Sequence, residues 1–182
     1  MADSRGREGH YAFSFDRVSA ALWDKYEGHQ QVESVEVLER RVDEDDRLHS
    51  RRLLTMYGQL PAVLRPLFGP KPLYLVEEVI VDPKRRELEI RTRNINFNNV
   101  FVSQSVSHYR ESENDPAETD YTIHLDTTAF PKEGQARGGR LSKIVEDFAC
   151  RKLLGNIKQG EEDIIRIITG RDRPQPEGEP RS

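Results

Sequence analysis

Residues 140–169, RLSKIVEDFACRKLLGNIKQGEEDIIRIIT, decide the fold of this chain. They read as one long closing helix. Stepping 100° per residue from Leu141 places Ile144, Val145 and Phe148 within about 60° of it, as one apolar stripe. The same stripe then runs into Lys152, Asn156 and Gln159. The apolar residues meanwhile cross to the other side, at Cys150, Leu154, Ile157, Ile164 and Ile168. Two explanations fit. The helix projects past whatever it covers and the stripe becomes exposed, or the polar trio faces an enclosed space with a polar end. In the second case a buried amine costs several kcal/mol unless an anion pairs with it. A ligand phosphate would be such an anion.

The helix must cover something, and the chain before it is mostly strand-like. A short strand is expected at His10–Phe15. A helix follows, with Asp16 as its N-cap, Val18, Leu22 and Tyr26 at helical spacing through Lys25, and Gly28 as its stop. Residues 32–42 and 47–57 read as a hairpin about the acidic turn Asp43 to Asp46, which lacks the strong glycine signal. Further strands are expected at 73–82, 86–97, 100–110 and 120–129. Asp82-Pro83, Asn98-Asn99 and residues 112–119 supply the turns. Consecutive strands with short connections make an antiparallel sheet, so the fold class is α+β, with about seven strands and a long C-terminal helix.

The 182 residues fit one domain. Residues 1–9 and 171–182 are rich in Gly, Pro or charge and short of apolar side chains. They are expected to be disordered, leaving a domain at 10–170. The net charge is −4, and each basic cluster has acids beside it, which argues against a general nucleic-acid binder. Cys150 is the single cysteine, so no internal disulfide forms. No 18-residue apolar run and no cleaved targeting signal are evident. Catalytic patterns are poor. No metal-binding His/Cys cluster, phosphate-binding glycine loop or nucleophile elbow is found, and His108 and His124 could at most face each other across a hairpin. The expectation is a protein that is not an enzyme and uses neither cofactor nor metal.

Two further features stand out. Arg52 shares a strand face with Leu48, Leu54 and Met56, and an arginine in an apolar row wants a carboxylate or phosphate partner. A snorkelling or salt-bridged arginine is the plainer alternative. Residues 58–72, GQLPAVLRPLFGPKP, set Leu60, Val63, Leu64, Leu67 and Phe68 in a Pro/Gly-framed loop. Such a loop is either packed on the core or a contact for a partner or membrane.

Several stretches together resemble the PRELI domain family, the PRELI/Ups/slowmo group. They are Val18 to Tyr26 (VSAALWDKY), Val37 to Leu54 (VLERRVDEDDRLHSRRLL), Leu60-Pro61, Val76 to Pro83 (VEEVIVDP) and Thr92 to Ile95 (TRNI). LHSRRLL and INFNNV are most similar to the slowmo branch. The resemblance implies a curved antiparallel sheet wrapped on the long helix, with a lipid cavity like those of START and phosphatidylinositol-transfer proteins. It implies transfer of a phospholipid across the mitochondrial intermembrane space, with the lipid as cargo, and a small twin-Cys-x9-Cys helical partner. It puts Lys25, Lys152 and Asn156, with Gln159 in place of a lysine, at the lipid head group, and Arg52, inward by its strand face, is expected to join them. Leu60, Pro61, Val63, Leu64, Leu67 and Phe68 fall on a lid loop that meets the membrane. Leu48, Leu54, Met56, Leu141, Val145 and Phe148 then line the cavity. Gln31, Met56 and Gln159 stand where phosphatidic-acid carriers can have basic residues. That favours a diester head group, phosphatidylserine above all. Phosphatidic acid, or an interaction subunit without cargo, are the alternatives.

Overall fold

The computed structural model describes residues 3–57, 65–130 and 140–170. Its elements are β1 (Asp3–Tyr11), α1 (Phe15–Asp24), β2 (Val32–Val42), β3 (Leu48–Met56), α2 (Arg65–Phe68), β4 (Leu73–Asp82), β5 (Glu87–Asn94), β6 (Phe101–Glu111), β7 (Thr119–Ala129) and α3 (Arg140–Thr169). The strands form one curved sheet in the order β1-β7-β6-β5-β4-β3-β2, with every neighbouring pair antiparallel. From β2 to β7 the order follows the chain, as short connections require.

Burial alternates strictly along β7, so one face of the sheet is apolar and inward. Tyr121, Ile123 and Leu125 of that face join Leu88 and Ile90 of β5 and Tyr109 of β6. Both long helices cover this face. From α1 come Phe15, Val18, Ala21 and Leu22, and from α3 come Ile157, Ile164 and Ile168. A second cluster lies at the other end of α3, where Val145 and Ala149 meet Val100, Phe101 and Ala129. Each fully buried aliphatic side chain here contributes roughly 1.5–3 kcal/mol.

Three sequence expectations change. The first strand begins at Asp3, not His10, so most of the segment expected to be disordered pairs with β7 over nine positions from Asp3 to Tyr11. The open edge of β7 supplies backbone partners that side-chain composition does not reveal. Gly9 is required there, because a Cβ would come within 2.5 Å of the Tyr121 hydroxyl. The N-cap of α1 is Ser14, not Asp16, whose carboxylate instead pairs with Arg86 at 2.8 Å. The acidic turn closes without glycine because Asp46 takes a positive φ of 66°. The Asp43 carboxylate accepts from the backbone N–H of Asp45 (3.0 Å) and Arg47 (2.9 Å). The C-terminal tail, 171–182, lies outside the described residues.

The β5–β6 connection depends on Asn94, which is 4% exposed. Its amide donates to the carbonyls of Asn96 (2.8 Å) and Phe101 (3.1 Å), and its oxygen accepts from the Ser103 N–H at 2.8 Å. These bonds end β5 at Asn94, before the expected 97. Replacing Asn94 by Ala removes the side-chain acceptor of the buried Ser103 N–H and the donor to the Asn96 and Phe101 carbonyls. We expect a loss of roughly 2–4 kcal/mol, read from the urea midpoint.

Candidate functional site

The site is built around Glu77. On β4 it shares the inward face with Leu75 and Val79, and it is wholly buried. Antiparallel register puts Arg52 of β3 directly opposite. The Arg52 guanidinium donates to Glu77 Oε1 through Nε at 2.9 Å and through its second terminal nitrogen. From the end of α1, Lys25 Nζ donates to Glu77 Oε2 at 3.1 Å, and the Tyr26 hydroxyl donates to the same oxygen at 2.6 Å. Trp23 and Tyr26 stack near the guanidinium, with centroids 5.0 and 5.5 Å from its carbon.

Two cations therefore share one carboxylate, and the cluster carries a net positive charge. Burial alone would raise the pKa of Glu77, but Lys25 and Arg52 pull it down to about 2. Lys25 shows the other side of this imbalance. Burial lowers its pKa, and Arg52 lowers it further, against the raising effect of Glu77. Its ammonium is thus under-neutralised inside the protein.

Between the sheet and α3 lie two chambers that share Met56, Leu75 and Asn156. The outer one, about 200 Å³, is walled by Leu73, Phe97, Phe101, Val145 and Phe148, with Gln31 and Lys152 at its polar side. The inner one, about 140 Å³, is lined by Lys25, Tyr26, Leu54, Tyr109 and Leu125, and by Thr92, Ser105 and Ser107. Asn156 stands at the junction, and Lys152, one helical turn before it, lines the outer chamber. Neither makes a hydrogen bond or ion pair among the described residues.

The structure brings together Lys25, Lys152, Asn156, Leu54, Met56, Val145 and Phe148 around the chambers. It does not bring Arg52, Gln159 or Leu48 there. Arg52 is 3% exposed and spent on Glu77, so the carboxylate alternative holds and the head-group role does not. Gln159 is exposed and its amide reaches Asp163 at 3.5 Å. The reason is helical drift. The inward row passes through Val145, Ala149, Asn156, Gly160 and Ile164, and Gln159 has rotated off it. Leu48 borders a separate groove beside Trp23, outside both chambers.

Of the expected lid, Leu67 packs on the cluster around Phe101 and Val145. Leu60, Pro61, Val63 and Leu64, and the side chains of Phe68 and Leu141, lie outside the described residues. His108 and His124 sit two register positions apart, opposite Thr122 and Val106, not facing each other. Among the described residues no group of three potential metal ligands occurs, and no helix is long and apolar enough to cross a membrane. Sequence reading missed Glu77, although its alternation with Leu75 and Val79 signalled an inward carboxylate.

The arrangement defines a hollow helix-and-sheet shell with a cationic interior. Solved structures share this architecture. An aromatase/cyclase, Zhui, from Streptomyces sp. R1128 superposes with a TM-score of 0.58 at 13% identity, covering 91% of this chain and 95% of that one. Ara h 8.0201 gives a TM-score of 0.54 at 11% identity, covering 91% and 99%. These likenesses place the fold among START-like helix-grip folds. Residues 16–173 match the PRELI-like family, and the chain belongs to it. It is 31% identical to the protein ups1 homolog of Schizosaccharomyces pombe over 163 residues, 88% of this chain and 92% of that one. It is also 31% identical to the mitochondrial PRELI domain-containing protein 1 of Bos taurus over 172 residues, 89% and 74%.

Glu77 sets an acid limit on stability. Its pKa is lowered on folding, so its contribution is present above about 4.5 and is lost as pH falls toward about 2. We expect this group to remove roughly 3 kcal/mol over that interval. Glu77→Gln should abolish that part of the acid limb. It should also cost roughly 3–5 kcal/mol at pH 7, because two buried cations lose their partner. Denaturant unfolding of both proteins between pH 2 and 7 checks both statements.

Proposed function

We propose that the chain carries one phospholipid between membranes, with the phosphate held near Lys25, Lys152 and Asn156 and the acyl chains along the outer chamber. The single observation behind this reading is the unbalanced buried charge. Among the described residues Lys25 has one carboxylate partner, which it shares with Arg52, and it lines the inner chamber. A phosphate diester arriving there neutralises it through charge-assisted hydrogen bonds. Asn156 at the junction and Lys152 in the adjoining wall of the outer chamber supply further donors.

The chambers support the same division of labour. Aromatic and aliphatic walls of the outer chamber suit acyl chains, and the hydroxyl-rich inner chamber suits a head group. Each is smaller than the roughly 300–1,000 Å³ of an ordinary ligand pocket. The two chambers meet at Met56, Leu75 and Asn156, where head group and acyl chains would divide, and a two-chain lipid must widen both to enter. Gln31 and Met56 add no charge to the outer chamber beyond that of Lys71 and Lys152, which is the support for a singly charged phosphate such as that of phosphatidylserine over phosphatidic acid. We assign no catalytic step and no cofactor, and the lipid is cargo. Family membership is the support for action in mitochondria, in the intermembrane space, and for a small twin-Cys-x9-Cys helical partner.

Vesicle-to-vesicle transfer tests this. Lys152 is unpaired among the described residues, so Lys152→Glu removes no internal bond while turning attraction for phosphate into repulsion. We expect transfer to fall to background with the melting temperature retained, and phosphatidylserine to move faster than phosphatidic acid in the unaltered protein. Undiminished transfer by the variant would contradict the head-group assignment.

A further inference from the structure

The inner chamber has a second polar end that the Lys25 cluster does not use. Tyr11 of β1 lines it and is 4% exposed, yet its hydroxyl has no hydrogen-bond partner among the described residues. A buried hydroxyl without a partner is costly and marks a place where a partner is supplied from elsewhere. Tyr121, with its ring 5.0 Å from that of Tyr11, differs in this respect, since its hydroxyl donates to Glu161 Oε1 at 2.7 Å.

What surrounds Tyr11 indicates the partner. Glu161 and Asp163 of α3 line the same chamber. Arg7 and Arg166 meet these carboxylates at 2.7 and 3.3 Å, but neither arginine lines the chamber. The wall at this end therefore presents oxygen acceptors. Burial, then Tyr109 and Glu161, push the Tyr11 phenol well above its ordinary range, so it stays neutral. Glu161 already holds Tyr121 and Arg7, so what the Tyr11 oxygen lacks is a hydrogen-bond donor beside that carboxylate, and a primary ammonium is such a donor.

We propose that the Tyr11 hydroxyl and the carboxylate of Glu161 form a second subsite in the inner chamber, which takes the primary ammonium of a phospholipid head group whose phosphate lies on Lys25. This rests on the phospholipid reading above and adds to it the residues that read the far end of the head group. A primary ammonium donates N–H to the Tyr11 oxygen. The quaternary ammonium of phosphatidylcholine cannot, and phosphatidic acid has no amine.

The test is vesicle-to-vesicle transfer by the full chain, with phosphatidylethanolamine, phosphatidylserine, phosphatidylcholine and phosphatidic acid as separate cargoes. The unaltered protein should prefer the two primary-amine lipids by roughly tenfold, the scale of one hydrogen bond to a charged group. Tyr11→Phe should remove most of that preference and leave phosphatidylcholine and phosphatidic acid unchanged. Its lipid-free melting temperature should stay level or rise, because an unpaired polar atom has been deleted. Glu161→Gln, which keeps an acceptor for Tyr121, should weaken the same two lipids. A lowered melting temperature with equal losses for all four lipids makes Tyr11 a structural residue and overturns the subsite. Active transfer without any amine preference overturns the subsite alone. Transfer of none of the four overturns the phospholipid reading, and the subsite with it.

Discussion

One buried carboxylate fixes the interior of this protein. Glu77 binds Arg52 across the β3–β4 ladder and Lys25 and Tyr26 from the end of α1. It thereby ties α1 to the sheet at a point where no apolar contact could specify the angle. Burying three charges is costly, and the Glu77 hydrogen bonds to Arg52, Lys25 and Tyr26 offset that cost for the carboxylate more fully than for Lys25. An apolar cluster of the same volume would hold α1 as firmly. It would not leave a cation at the chamber wall, so the ionic solution gives the cavity its character as well as its shape.

The cavity itself follows from α3. Its contact face turns about the helix axis as the helix crosses the sheet, so the two apolar clusters are joined by a stretch where Lys152, Asn156 and Gly160 face inward. Small and polar residues cannot fill the space there. The result is an apolar outer chamber with Lys152 in its wall, and an inner chamber whose apolar wall carries Lys25 and several hydroxyls, the two meeting at Asn156. Such a gap lowers stability relative to a packed core, and a bound ligand would restore that loss by mass action.

Much of this was legible in the sequence. The long helix, the order of the strands and the interrupted stripe at Lys152 and Asn156 all follow from period and position. The parts that were not legible depend on register and on edges. Alternation puts both Arg52 and Glu77 inward, but only the β3–β4 register makes them partners, and residues 58–72 hide that register. Arg52 was therefore open to a phosphate or a carboxylate until its neighbour was known. Gln159 needed the precession of α3, which straight-helix geometry from Leu141 does not include. Residues 3–9 look disordered by composition, and they are ordered by backbone bonds to an edge strand, a contribution no side-chain pattern records.

The central claim is that Lys25 lacks a full counter-charge until a phosphate arrives. The direct measurement is the titration of Lys25 by NMR in carbon-labelled protein, free and loaded with phosphatidylserine. Lys25 is identified by its loss in Lys25→Met. Burial and Arg52 hold its pKa below the ordinary lysine value in the empty protein. The account predicts that the pKa rises on loading, toward or above that value. A pKa that stays put or falls when lipid binds would mean the phosphate lies elsewhere, and would contradict the account.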